Sequence, residues 1–298
     1  MQKYDKPDFI VVGAAKSGTT SLFHYLNRHP DVFIPAVKEC RFFSQLPKNF
    51  KGLGAEFFPN SGITDEKEYF GLFKEAGNKV CGDISNDYLY YYDRSIETIK
   101  RYLDDNIRII IVLRNPIDRA YSNYMHHVRD GWENLSFEEA IAEEDKRIAE
   151  NWGWSYHYVH AGFYSAAVKA YLEQFAYVEI FLYEDLKEVS TFLKRIYRFI
   201  GVEEREPEPE DVRQYNVSGY PKNMLVHKLL TGSNALRTFA RHILPPFLKR
   251  WIVTNIKNRN LKKVPMNAAT RAMLKKTYAD DVKKLSALIG RDLSHWIK

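Results

Sequence analysis

The sequence predicts a three-layer α/β fold, with a central, mostly parallel sheet flanked by helices and a basic helical segment after it. Three observations carry that expectation. Short β-branched runs alternate with segments of helical period. Each run ends in a polar turn at which a helix can start. The chain has 298 residues, 45% of them hydrophobic and 28% charged, enough to bury a substantial core and outside the range of disordered or disulfide-stapled chains.

The elements follow in order. Phe9–Gly13 reads as a buried parallel strand, and Thr19–Asn27 carries Leu22, Tyr25 and Leu26 at helical spacing before His29-Pro30 stops it. Ile107–Leu113 is a second strand; it runs into Arg114-Asn115-Pro116, where Pro116 suits the first position of a helix through Tyr121 and Tyr124. Ser136 and Glu139 form a capping-box pattern for a helix over Ser136–Glu150, and another helix is expected over about Gly162–Phe175. Val178–Tyr183 is the third strand, followed by a helix over Thr191–Ile200 closed by Gly201. A long helix over about Ala268–Ile289 ends at Gly290. A single domain over 1–298 is expected, with its core at about 8–202, an acidic Pro-punctuated connector at Glu203–Asp211, and a basic covering segment at about 212–298.

The net charge of +6 conceals an asymmetry. From Val212 to Ala279 there are fourteen Lys and Arg and no Asp or Glu, which leaves the remainder with 30 basic against 38 acidic residues. So concentrated a positive field faces an anionic partner. The two cysteines, Cys40 and Cys81, leave room for one bridge but make no framework, and neither has metal-ligand spacing. Met1–Pro7 is polar, and no run is apolar and long enough to span a bilayer. A cytoplasmic location, with possible peripheral contact with an anionic membrane, is the resulting expectation.

The chemistry concentrates in Gly13-Ala14-Ala15-Lys16-Ser17-Gly18-Thr19-Thr20-Ser21. Small residues let backbone N–H groups turn toward an anion, and the helix that starts there adds free donors and a positive dipole end. Lys16 adds full charge; Ser17, Thr19, Thr20 and Ser21 add hydroxyls. The loop departs from G-x-x-x-x-G-K-[ST], since Lys16 precedes Gly18 instead of following it. Arg114, at the end of the next strand, has the planar fork suited to a phosphate, and Ser122 lies under two turns into the following helix. The alternative for Arg114 is a surface ion pair with Asp118.

Lys16-Ser17-Gly18-Thr19-Thr20 after a strand resembles the 5′-phosphosulfate loop of sulfotransferases that use 3′-phosphoadenosine 5′-phosphosulfate (PAPS), and three further stretches match that family in order. Val112–Ser122 resembles its 3′-phosphate motif, Phe181–Lys187 its third-strand motif with a Tyr near the adenine, and Val37–Phe43 the K-E-x-x-F-F element of its bacterial and heparan-sulfate-type members. The resemblance covers most of residues 8–200 and is weaker at Asn216–Asn223 and Gly290–Ser294. It implies a P-loop-like fold, PAPS as co-substrate with no metal, and a small-molecule or glycan acceptor. It also implies Lys16 and Glu39 as catalytic residues, and Lys16, Ser17, Gly18, Thr19, Thr20, Ser21, Arg114, Ser122, Tyr183, Lys222 and Asn223 as nucleotide contacts. Two departures stand out. The heparan-type Glu-Lys-Thr-Pro element aligns with Asp83-Ile84-Ser85-Asn86, so its lysine is absent, and the histidine base of the cytosolic enzymes has no counterpart. His126 and His127 fall later, in a structural or substrate-facing place.

Alternatives stay open at this stage. Lys38, Glu39 and Arg41 could be an ordinary charged loop anchored by Phe42 and Phe43, and Lys222-Asn223 a surface turn. The mixed apolar and basic stretch Leu236–Ile256, divided by Pro245-Pro246 into two expected helices, could cover the acceptor cleft, guide an anionic acceptor, lie on an anionic membrane, or expose a solvated basic face. A nucleotide-dependent kinase and a non-enzymatic polyanion-binding protein compete with sulfuryl transfer; no nucleic-acid motif is present, so no nucleic-acid partner is expected.

Overall fold

β1 (Phe9–Gly13) sends alternate side chains to opposite sides of a sheet, and that alternation builds the two halves of the core. The computed structural model describes residues 6–46, 49–53, 55, 62–207 and 264–298, together with the backbone of 220–221 and 261–262. After β1 come α1 (Thr19–Asn27), β2 (Val32–Phe33), α2 (Glu66–Gly71), β3 (Val80–Ile84), α3 (Tyr92–Tyr102) and β4 (Arg108–Leu113). Then follow α4 (Pro116–Asp130), α5 (Phe137–Ala142), α6 (Glu144–Ala149), α7 (Ser165–Gln174), β5 (Tyr177–Leu182), α8 (Val189–Ile200) and α9 (Ala268–Ile289). Tyr220–Pro221 and Leu261–Lys262 form a small antiparallel pair, β6 and β7.

The main sheet has the order β2-β3-β1-β4-β5, and every pairing in it is parallel. Phe9 and Val11 of β1 join Ile110 and Val112 of β4 against Leu22 and Leu26 of α1 and Phe192, Leu193 and Ile196 of α8. Ile10 and Val12 join Ile109, Ile111 and Leu113 on the other side, against Ile99 of α3, Ile117 of α4, Val168 of α7 and Leu274 of α9. Each such fully buried aliphatic or aromatic side chain contributes about 1.5–3 kcal/mol over an exposed one. The result is the expected three-layer α/β arrangement.

The strands β2 and β3, with α2 and α3, lie outside the elements expected from sequence. β3 is interrupted by Gly82 and Asp83, which break an apolar run. Gly82 is required there because a Cβ would stand 2.1 Å from Cζ of Phe9 on the neighbouring strand. Asp83 is buried yet satisfied by the hydroxyls of Ser85 at 2.8 Å, Tyr88 at 2.8 Å and Tyr69 at 2.9 Å. The helix expected over Ser136–Glu150 is divided at Glu143 into α5 and α6. The capping box of Ser136 and Glu139 forms as expected, but beyond the break the Glu144 carboxylate accepts from the amides of Val159 and His160, a tertiary demand that local periodicity does not reveal. Cys40 and Cys81 are free, buried thiols. The two helices expected over Leu236–Ile256 lie outside the described residues.

Candidate active site

Because β3, β1, β4 and β5 are adjacent and parallel, the residues following them share one edge of the sheet, where open α/β folds bind ligands. Asn86 follows β3, Lys16 follows β1, Arg114 follows β4 and Tyr183 follows β5.

The turn after β1 is held by the Ala14 amide donating to the Val112 carbonyl at 2.7 Å, which ties it to β4. Lys16 lies in the left-handed region at φ 66°, a conformation costing a non-glycine residue roughly 1 kcal/mol or more. Gly18 precedes α1 at φ 93°, and no side chain caps the helix start. The first amides of α1 therefore point into the loop without a side-chain partner, as an anion site needs. Ser17 Oγ is buried with no hydrogen-bond partner among the described residues. An oxyanion in the loop would satisfy both, so these residues fit a phosphate or sulfate. Thr19 is buried; Thr20 and Ser21 are half-buried at the same helix start.

Arg114 donates to the Lys16 carbonyl at 3.0 Å, and its guanidinium lies 4.6 Å from the Tyr183 ring centroid. It does not pair with Asp118, which binds Arg271 at 2.7 Å instead. Ser122 is half-buried on α4. Lys222 and Asn223 lie outside the described residues.

Glu39 stands in the left-handed region at φ 61°, strapped to the end of β3 by its amide, which donates to the Ile84 carbonyl at 3.1 Å. The Arg41 amide donates to Ser85 Oγ at 3.1 Å, reinforcing the strap. Lys38 Nζ and Asn86 Nδ2 donate to Oε1 of Glu39 at 2.8 and 2.7 Å, and Arg41 Nη2 to Oε2 at 3.0 Å. Burial alone would raise the carboxyl pKa, but the Lys38 and Arg41 charges and their hydrogen bonds outweigh it and hold the group at about 2. Behind it, burial raises Asp87 to about 6. Phe42 and Phe43 are buried and anchor the loop, a feature that the ordinary charged-loop alternative shares with the catalytic one.

Burial lowers Lys16 to about 7, assisted by the charges of Arg129 and Arg114 and opposed by Asp130 and Glu39. The end of α4 thus reaches the site, a convergence that the sequence reading missed. Arg129 grips Asp130 at 3.0 and 3.1 Å, and His126 Nδ1 lies 2.9 Å from Asp130 Oδ2. Burial opposes the ionisation of Asp130, but His126 and Arg129 hold its pKa well below the usual carboxylate range. His127 is buried instead, with Nδ1 3.1 Å from the Tyr158 hydroxyl, whereas His126 is half-buried beside Asp130. Helical spacing from Ser122 was the one available signal for this group. Among the described residues, no cluster of three or more His, Cys, Asp or Glu could hold a metal ion.

The family profile described as the sulfotransferase domain matches residues 6–230. The human bifunctional heparan sulfate N-deacetylase/N-sulfotransferase 3 is 24% identical over 98% of this chain and 31% of its own length. Human carbohydrate sulfotransferase 15 is 24% identical over 46% of this chain and 30% of its own. The chain thus spans about a third of the length of these curated relatives. The crystal structure of a sulfotransferase from Alicyclobacillus acidocaldarius superposes with a TM-score of 0.77 at 32% identity, covering 98% of this chain and 99% of that one.

Proposed function

Since this chain belongs to the sulfotransferase family, we propose that it moves a sulfuryl group from PAPS to a hydroxyl or amine of a carbohydrate or other small alcohol, releasing adenosine 3′,5′-bisphosphate. The observation that carries the reading is the meeting of an uncapped, lysine-bearing loop and an ionised, half-buried carboxylate at one sheet edge. The acceptor class is suggested by the relatives' names, heparan sulfate and carbohydrate sulfotransferases among them.

In this reading the acceptor atom forms a bond to sulfur as the bond from sulfur to the bridging phosphate oxygen breaks. Lys16 neutralises the charge that grows on that oxygen, and the α1 amides with Ser17, Thr19, Thr20 and Ser21 hold the 5′-phosphate. Arg114 and Ser122 hold the 3′-phosphate, Tyr183 lies beside the base, and Lys222 and Asn223 are the remaining assigned contacts. Glu39 takes the acceptor's proton. With its pKa near 2 it is always ionised at neutral pH but a weak base while Lys38, Arg41 and Asn86 occupy it. An acceptor that displaces one of these donors both meets the carboxylate and raises its basicity.

Transfer assays with radiolabelled PAPS, paired with calorimetry, test the assignment. Lys16→Ala is expected to abolish transfer. Glu39→Gln is expected to abolish transfer while leaving nucleotide affinity near wild type. Near-normal turnover of Glu39→Gln would remove Glu39 from the proton step. A thermal shift with adenosine 3′,5′-bisphosphate, and none with ATP and Mg²⁺, separates this reading from a kinase.

A further inference from the structure

The segment after α9 returns to the sheet edge and binds next to two residues assigned to the nucleotide. Gly290 ends α9 in the left-handed region at φ 65°, and Ser286 fixes the turn: its Oγ donates to the Arg291 carbonyl at 2.6 Å and its carbonyl accepts the Arg291 amide at 3.2 Å. From this turn Arg291 donates both arms of its guanidinium to Asp185, at 2.7 and 2.8 Å. The Trp296 indole N–H donates to Glu184 at 2.9 Å, and the Trp296 carbonyl accepts from Asn115 Nδ2 at 3.1 Å. Leu293 and Trp296 are buried, so the segment is seated in the core.

These three partners have consequential positions. Glu184 and Asp185 directly follow Tyr183, and Asn115 directly follows Arg114. Asn115 also caps α4, accepting from the Ile117 amide at 2.9 Å, so the same amide group that meets Trp296 sets the start of the helix bearing Ser122. The turn after β5 leans on the anion loop as well. A Cβ at Gly18 would stand 2.8 Å from Leu186 Cδ2 and 3.4 Å from the Tyr183 ring. Pulling on Glu184 and Asp185 therefore fixes the Arg114–Tyr183 stack and the wall of the Lys16 loop together.

We propose that Gly290–Trp296 is a clamp that preorganises the nucleotide face, with Arg291 and Trp296 as positioning residues for Tyr183, Arg114 and the loop at Gly18. The proposal rests on the nucleotide assignment above. α9 is anchored independently: Asp281 caps α7 through the Tyr164 and Ser165 amides, and Leu274 and Tyr278 are buried. The contacts made after Gly290 thus add to a helix that is already fixed. A preorganised site spends less binding free energy on ordering itself, so loosening it weakens affinity more than it slows the chemical step.

The test compares wild type with Arg291→Ala, Arg291→Lys and Trp296→Phe. The readouts are adenosine 3′,5′-bisphosphate affinity by calorimetry, KM for PAPS, kcat and melting temperature. Arg291→Ala is expected to raise Kd and KM for the nucleotide about tenfold while kcat at saturating PAPS stays within about twofold. Arg291→Lys, which keeps charge but not the fork, should recover part of the loss. Trp296→Phe keeps a buried aromatic ring and removes the N–H, so it probes the clamp independently if Arg291→Ala folds poorly; a smaller loss of affinity is expected from it. Folded variants that bind nucleotide as wild type does, or that lose kcat with affinity intact, overturn the clamp alone. A wild-type protein that binds no adenosine 3′,5′-bisphosphate overturns the nucleotide assignment, and the clamp with it.

Discussion

Burial and the cations Arg129 and Arg114 hold Lys16 at a pKa of about 7, so at pH 8 most molecules carry this amine uncharged. An anion placed against it favours the ammonium form, and nucleotide binding must then draw a proton from solution. Calorimetry at pH 8 in buffers of different ionisation enthalpy is expected to read an uptake approaching about one proton per adenosine 3′,5′-bisphosphate bound. Lys16→Met should lose that component and keep only the change in the nucleotide's own phosphates. The sign also sets the pH trend: the lysine contribution costs little well below pH 7, where the amine is already charged, and weakens affinity progressively as pH rises through and above 7. Equal uptake by wild type and Lys16→Met would separate Lys16 from the bound anion. Glu39 behaves oppositely. Held at about 2, it is ionised throughout this range and contributes no proton to the measurement.

β3 is the element on which the site's geometry depends and the one least legible in sequence. It carries Asn86 at its end, receives the Glu39 amide and lies flush against β1 because Gly82 admits the Phe9 ring. Gly82→Ala forces a methyl into a ring 2.1 Å away, and overpacking of this kind costs about 1–3 kcal/mol. A lowered urea midpoint with an unchanged m-value is expected; an unchanged midpoint would mean that the two strands tolerate separation. β1 and β4 were readable because an uninterrupted β-branched or aromatic run has few alternatives to a buried strand; β5 was readable despite Glu179 because Val178, Ile180 and Phe181 around it keep the strand composition, and the residues at the three ends, Lys16, Arg114 and Tyr183, were readable with them. Gly82-Asp83 hides β3, since the carboxylate looks exposed until Tyr69, Tyr88 and Ser85 are seen to bind it. Asn86 and the Arg129–Asp130 end of α4 escaped for another reason. Their meeting at Glu39 and Lys16 depends on the strand order β3-β1-β4, which local patterns do not encode. The K-E-x-x-F-F likeness located Glu39 itself without that knowledge.

Over the whole molecule the charges are sorted, and the sorting bears on which acceptor is preferred. Residues 212–279 hold fourteen cationic side chains and no carboxylate, while the rest of the chain is net acidic. The site adds its own cations, Lys16, Lys38, Arg41, Arg114 and Arg129; burial first, and then the charges of Arg129 and Arg114, lower the Lys16 pKa, while Lys38 and Arg41 act on Glu39. A charge distribution of this kind is expected to disfavour cationic acceptors and to attract polyanions toward residues 212–279. Such steering acts through water and is screened over about 8 Å at physiological salt, whereas contacts inside the site are screened far less. Raising salt from about 0.05 to about 0.3 M is therefore expected to lower kcat/KM for a carboxylated or sulfated glycan by about tenfold or more, while a neutral alcohol acceptor changes within about twofold. With saturating PAPS in both series, nucleotide binding is common to the two and cancels in the ratio. Neutralising Lys249, Arg250, Lys257 and Arg259 together should flatten the glycan's salt response and leave the neutral acceptor's turnover unchanged. Parallel salt curves for the two acceptors would show that the basic segment has no part in gathering acceptors, and would direct the search for its anionic partner away from the substrate.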